Sequence, residues 1–279
     1  MADYTNPASL VETDWIEQQG DSQEVAILEV DEDTTAYEKG HIPNAISIDW
    51  ANDLHDLPRR EFVTSEQLAK LLGEKGVSSD QTIVLYSGNN NWFAAYAYWL
   101  FKYRGVENVK LLNGGRKKWE LESRLLTQDE PNRSATTFTI GQEKPELRIL
   151  RDEVITRTQS PGAWVDVRSP EEFRGELLAP PHLPQEQAQV PGHIPGASNI
   201  TWSKAVNEDG TFKSADELKE LYAAEGITSD KEVVTYCRIG ERSSHSWFVL
   251  KELLGFENVR NYDGSWTEYG SLVGVGIEK

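Results

Sequence analysis

Residues 226–265 read GITSDKEVVTYCRIGERSSHSWFVLKELLGFENVRNYDGS, and residues 76–115 read GVSSDQTIVLYSGNNNWFAAYAYWLFKYRGVENVKLLNGG. The two align without gaps at an offset of 150, matching Gly76 with Gly226, Tyr86 with Tyr236, Gly105 with Gly255, and ENV at 107–109 with ENV at 257–259. Upstream, VAILEV and GHIPNAISIDW (25–50) match AWVDVR and GHIPGASNITW (163–202). Self-similarity over this span makes the chain two copies of one unit.

Within each copy, short β-branched runs alternate with longer helical patterns. In the second they fall at Ala163–Val167, Ala215–Glu225, Glu232–Tyr236, a helix from about Arg242 to Leu254, and Asn258–Asn261. This alternation predicts an α/β fold in which each copy is a parallel sheet with helices on both faces. The polar stretch 123–150 carries two prolines and reads as a linker, giving an N-terminal domain at 1–122 and a C-terminal domain at 151–279.

Composition narrows the function classes. Among 279 residues, 38% are hydrophobic and nine are Trp, which argues for packed globular structure. A formal charge of −18, from 46 Asp and Glu against 28 Lys and Arg, disfavours nucleic acid and anionic membrane as partners. No apolar run approaches a membrane span, and MADYTNPASLVETDWIEQQ lacks the order of a signal peptide, so a cytoplasmic setting is expected. One cysteine cannot form an internal disulfide, and no Cys/His cluster has metal-ligand spacing, so no metal is expected.

That one cysteine, Cys237, stands at the C-terminal end of a predicted strand, just before a helix. In open α/β sheets ligands bind there, and the helix N-terminus offers N–H groups and partial positive charge to an anion. Arg238 and Arg242 add two cations against one acid, Glu241, while Gly240 lets the backbone curve inward. Such surroundings predict a thiolate of lowered pKa. The loop Cys237-Arg238-Ile239-Gly240-Glu241-Arg242-Ser243 therefore reads as an anion cradle with a sulfur nucleophile at its base. The first copy has Ser87 in place of the cysteine and SGNNNW without a cation, so it reads as the non-catalytic copy.

Cysteine phosphatases place five residues between Cys and Arg, whereas here there are four, RIGE. The tighter ring suits one extra sulfur atom better than a phosphoryl group, leaving phosphatase or arsenate-reductase chemistry as a minor alternative. The duplication, the two GHIPxA turns, CRIGERS, and the LNGG and YDGS segments together resemble a tandem two-domain rhodanese, over roughly residues 10–270. The resemblance implies two rhodanese folds, the N-terminal one inactive, and a double displacement. Cys237 would take the outer sulfur of thiosulfate as a persulfide, release sulfite, and pass the sulfur to cyanide, a thiol or a sulfur-acceptor protein. The loop residues 238–243 would bind the donor.

The sister class, 3-mercaptopyruvate sulfurtransferase, usually opens its loop Cys-Gly-Ser-Gly, so Cys-Arg-Ile-Gly favours thiosulfate. Two departures weigh on donor identity, namely Ile239 where vertebrate thiosulfate enzymes have Lys, and Glu172 where both classes have Arg. A non-enzymatic sulfur-relay scaffold is the further alternative, against which the charged loop argues.

Other residues carry two readings each. Asp166 and Arg168, at the end of the second copy's first strand, either brace the site or form a structural salt bridge. Trp92 and Phe93 sit where rhodaneses place an aromatic wall of the cleft, or are helix core. His245 reads as a packing residue, and His41 and His193, duplicated in both GHIP turns, as turn stabilisers. The proline-rich insert 177–196 reads as a surface loop that could also gate a cleft.

Overall fold

A computed structural model describes residues 3–56, 61–159, 162–180 and 187–279. In the N-terminal unit, β1 (Leu10–Val11), β2 (Val25–Asp31), β3 (Ala45–Asp49), β4 (Thr82–Tyr86) and β5 (Val109–Leu112) form one parallel sheet in the order β1-β5-β4-β2-β3. All seven residues of β2 are buried, which explains why its sequence is a nearly unbroken apolar run instead of an alternating one. Parallel neighbours need crossovers, and helices supply them, among them α1 (Ser65–Glu74) and α2 (Gly88–Arg104), while α3 (Gly115–Leu121) follows the last strand. A reciprocal capping box between Thr64 and Gln67 starts α1, and Gly105 ends α2 in the left-handed conformation at φ 95.

The C-terminal unit repeats the plan with β6 (Ala163–Asp166), β7 (Ser198–Asn199), β8 (Val233–Tyr236) and β9 (Val259–Tyr262), ordered β9-β8-β6-β7 and again parallel. Its helices include α4 (Pro170–Phe173), α5 (Ala215–Ala223), α6 (Glu241–Phe248) and α7 (Ser265–Tyr269). The predicted helix over 242–254 is α6 continued by a π turn at Val249–Leu253, closed by Leu254 N–H on Val249 O at 2.9 Å. Each unit has its own core, with Ile27, Val84 and Tyr86 in the first and Val234, Tyr236 and Trp266 in the second.

Strand pairing corrects the alignment of the first strands by one residue. Glu29 lies opposite Tyr86 and Asp166 opposite Tyr236, so Glu29 is the counterpart of Asp166, and Asp31 of Arg168. The stretch expected as a linker is laced onto the N-terminal unit as far as Lys144, by Thr136 N–H on Gly73 O at 2.8 Å and Lys144 N–H on Tyr103 O at 2.7 Å. From Pro145 the chain belongs to the C-terminal unit, joined there by residues 3–7, and residues 208–212 group with the N-terminal unit. Among the described residues no helix is long and apolar enough to cross a membrane.

Candidate active site

The turn from β8 into α6 holds Cys237 in place from three sides. Gly240, at φ 99, is required because a Cβ there would stand 2.7 Å from Asp263 Cα. Its carbonyl accepts from the Ser243 hydroxyl (3.0 Å), the Ser244 hydroxyl (2.8 Å) and the Asn261 amide (3.2 Å). Asn261, fully buried in β9, also accepts from Ser243 Oγ at 2.6 Å. On the other flank, Cys237 N–H donates to Ser265 Oγ at 3.0 Å, and the N–H groups of Trp266 and Thr267 cap the Cys237 and Arg238 carbonyls at 3.0 Å each. This buried network favours one loop conformation.

Hydrogen bonds converge on the sulfur. Gly240 N–H donates to Sγ at 3.2 Å, and the thiol faces Glu241 Oε2 at 3.4 Å. Here the expectation of a lowered thiol pKa is corrected. Burial pushes the Cys237 thiol up and Glu241 adds to this, outweighing Arg242 and the backbone hydrogen bonds from Ser243 and Ile239. Sequence showed the cations but not that the sulfur has no exposed surface.

Nor is Arg242 simply a cation aimed at an anion. Its Nη1 and Nη2 fork onto Glu172 Oε2 and Oε1 at 2.8 and 3.0 Å, with both side chains buried. Burial opposes ionisation of Glu172, yet Arg242, the Ser169 N–H and Arg168 hold its carboxyl below the usual range. Glu172 thus replaces an expected donor-binding cation with the partner of another. Its place on α4 is set by the capping box with Ser169 and by Pro170 at the first turn.

The other sequence-selected residues sort cleanly. Arg238 is buried in the loop, Ile239 is half-buried, and Gly240, Glu241 and Ser243 are buried beside them. Asp166 and Arg168 form a fully buried pair, Nη2 to Oδ2 at 2.6 Å, and Arg168 also donates to Gly192 O at 2.6 Å over the face of Trp266. This ties the sheet to the GHIP turn, as a structural bridge does. Phe93 packs in the N-terminal unit against Trp50, ring centroids 5.2 Å apart, and stacks on half-buried Trp92 at 5.4 Å. His245 is buried against Trp202, and burial pushes its pKa down to about 3, so it is neutral. His41 stacks on Tyr37 and His193 on Phe173, each with Nδ1 on a backbone carbonyl, at 3.0 and 2.8 Å.

Within the insert 177–196, residues 181–186 lie outside the described residues. Val190 bonds Gly270 N–H-to-carbonyl at 3.0 Å and its carbonyl accepts from Trp266 Nε1 at 3.0 Å. Sequence reasoning missed Asn261 and Ser265. The readable signal was polar Asn261 where the first copy has Leu111, and Ser265 where it has Gly115. Among the described residues no group of three or more His, Cys, Asp or Glu could hold a metal ion.

Comparison with known proteins gives this geometry its kinship. The rhodanese-like domain pattern matches residues 12–122 and again 150–272. A protein of Saccharopolyspora erythraea named "Putative thiosulfate sulfurtransferase" is 61% identical over 269 residues, 96% of this chain and 95% of that one. The "Sulfur carrier protein TtuD" of Thermus thermophilus is 53% identical over 280 residues, 99% and 98% of the two chains. Among solved structures, the anaerobic ergothioneine biosynthesis enzyme of Chlorobium limicola, bound to trimethyl histidine, superposes with a TM-score of 0.86 at 25% identity, over all of this chain and 72% of its own. The chain belongs to the rhodanese family and carries the rhodanese-like domain twice.

Proposed function

We propose that this protein is a thiosulfate sulfurtransferase working by double displacement through a Cys237 persulfide. The observation that carries the reading is the sulfur itself, seated where a strand meets a helix N-terminus, with the Gly240 N–H already directed at it at 3.2 Å. Cys237 attacks the outer sulfur of thiosulfate, the sulfur–sulfur bond of the donor breaks, and sulfite leaves. The persulfide anion takes the place of the thiol under the same N–H group and the positive end of α6. Arg238 and the loop amides balance the charge of the donor.

With one cysteine in the chain, the persulfide is not resolved as an internal disulfide, and the sulfur leaves to an external acceptor, cyanide, a thiol or a protein. Support comes from the curated relatives named as thiosulfate sulfurtransferases and as a sulfur carrier, and from a 25% identical EanB structure described as carrying a cysteine persulfide. In this reading residues 151–279 are the catalytic domain and 1–122 the inactive one, the reaction uses no metal or organic cofactor, and its setting is the cytoplasm.

Thiocyanate formation from thiosulfate and cyanide tests it. The wild-type chain turns over and Cys237→Ser does not. Turnover with 3-mercaptopyruvate but not thiosulfate reassigns the donor, and turnover by Cys237→Ser contradicts the mechanism.

A further inference from the structure

The buried thiol creates a proton-transfer problem. Burial favours the protonated form of Cys237, whereas the nucleophile must be sulfur without its proton. The acceptor closest to that proton is Glu241 Oε2, 3.4 Å from Sγ and itself fully buried. On the same helix Arg242 Nε lies 3.9 Å from Glu241 Oε1. From α4, Glu172 engages Arg242, and from α7, Ser265 Oγ accepts from Cys237 N–H and donates to Tyr262 O at 2.7 Å, so neither takes the thiol proton.

We propose that Glu241 is the proton acceptor of Cys237, taking the Sγ proton as the sulfur attacks and holding it while the persulfide stands. This rests on the sulfurtransferase reading for its substrate, though not for its chemistry. In the first half-reaction the Sγ–S bond forms, the donor's sulfur–sulfur bond breaks, and its electron pair leaves with sulfite. Thiol plus carboxylate becomes persulfide anion plus carboxylic acid. In the second, the acceptor removes the outer sulfur and the Cys237 thiolate recovers its proton from Glu241. The pair keeps a net charge of one negative throughout, which matters in a site where each added charge costs several kcal/mol, about the order set by burial of an unpaired ion.

The silent copy agrees from the other direction. At the position of Glu241 it has Asn91, whose carboxamide is spent on Ser87 N–H at 3.0 Å and Leu112 O at 2.6 Å. The copy without a thiol has no carboxylate at that position.

The opposing account makes Glu241 only a negative charge that hinders the thiol and repels the donor. Glu241→Gln separates the two, because they predict opposite signs. Alkylation of Cys237 by iodoacetamide, followed by intact mass from pH 5 to 9, reads proton removal without any sulfur donor. In that reaction the Sγ–carbon bond forms, iodide leaves, and the proton goes to Glu241. With Glu241 as acceptor, the wild type reacts at pH 7 about 100-fold faster than Glu241→Gln, and the variant gains about tenfold per pH unit.

Glu241→Asp, which keeps the carboxylate, recovers part of the rate, as a merely structural residue would not require. Equal or faster alkylation of Glu241→Gln overturns the proposal. So does failure of both chains to react by pH 9, since a thiol that no small electrophile reaches is not a nucleophile. A second arm repeats the comparison with thiosulfate in a single turnover. An alkylation gap without sulfur uptake by the wild type assigns Glu241 and overturns the substrate instead.

Discussion

Ser87 in the N-terminal unit and Cys237 in the C-terminal unit follow equivalent strands, β4 and β8, and each stands at the mouth of a helix. Around Cys237 the turn is held open by Gly240 and by hydrogen bonds to Ser265 and Asn261. Around Ser87 the same space is filled. Asn89, Asn90 and Asn91 take left-handed angles of 47, 55 and 62, and the Asn91 side chain accepts the Ser87 N–H that Ser265 accepts in the other unit. Gly115, the counterpart of Ser265, is glycine because a Cβ there would stand 2.2 Å from Asn91 Oδ1. The two turns therefore differ by more than one oxygen in place of one sulfur, since the N-terminal turn is packed around a different side chain.

Beneath the turn the two units agree. A buried carboxylate, Glu29 or Asp166, meets the hydroxyl of Tyr86 or Tyr236, and that hydroxyl accepts from Ile42 or Ile194 N–H at 3.1 Å in both. The guanidinium that completes the frame comes from different places in the chain. Arg116 of α3 supplies it in one unit and Arg168, beyond β6, in the other, and they reach Gly40 O and Gly192 O at 2.7 and 2.6 Å. Trp266 fills the position of Arg116, and Arg168 lies over its ring at 4.8 Å. Two routes to one ion pair mark the frame as a requirement of the fold, separate from the chemistry above it.

That separation can be broken by experiment. Removing either framing cation leaves a buried carboxylate without its partner, so Arg168→Met and Arg116→Met each cost about 3–5 kcal/mol in urea unfolding. A large loss in one unit and none in the other would end the equivalence. Arg242→Met strands Glu172 in the same way and lowers stability before it raises the KM for thiosulfate. A KM effect at full stability would return Arg242 to a purely donor-binding role.

Next in size is Gly240→Ala, at a left-handed angle with no room for a Cβ. It costs about 1–3 kcal/mol and slows sulfur uptake, whereas Asn90→Gly at the equivalent silent position is neutral or mildly stabilising. Acid titration gives opposite signs in the two units. His245 has a folded pKa of about 3, below the ordinary histidine value of 6.5, so the unfolded chain binds more protons between them. The C-terminal unit therefore loses stability as pH falls through that window, by up to about 1.4 kcal/mol per pH unit. Asp31, pushed up to about 6 chiefly by burial, binds its proton more tightly when folded, so its contribution is present below pH 3.8 and lost as pH rises through 6. Unfolding followed separately in each unit between pH 4 and 7 checks both slopes. The smallest effect is Ser87→Ala, which removes the acceptor of Ala94 N–H, costs about 1 kcal/mol, and leaves sulfur transfer unchanged.

Duplication, the parallel α/β plan and the address of Cys237 were legible because they rest on periodicity, turn residues and one unmistakable cysteine. The electrostatics of the site was not. Counting Arg238 and Arg242 against Glu241 suggested a positive cradle, but Glu172, seventy residues before Arg242, folds back to neutralise it. Pairings at that separation leave no trace in local spacing. Burial of the thiol was hidden for the same reason, since it depends on β9 and α7 closing over the turn. Asn261 and Ser265 could have been found by asking where the second copy is polar and the first is not.

The most direct test of the central claim is intact-protein mass after incubation with thiosulfate, measured on the wild type, Cys237→Ser and Ser87→Cys/Cys237→Ser. The account predicts one added sulfur on the wild type, lost on cyanide, and none on either variant, because the silent turn cannot hold a persulfide. Sulfur gained by the wild type at another residue, or by the chain with its cysteine moved to position 87, would contradict it.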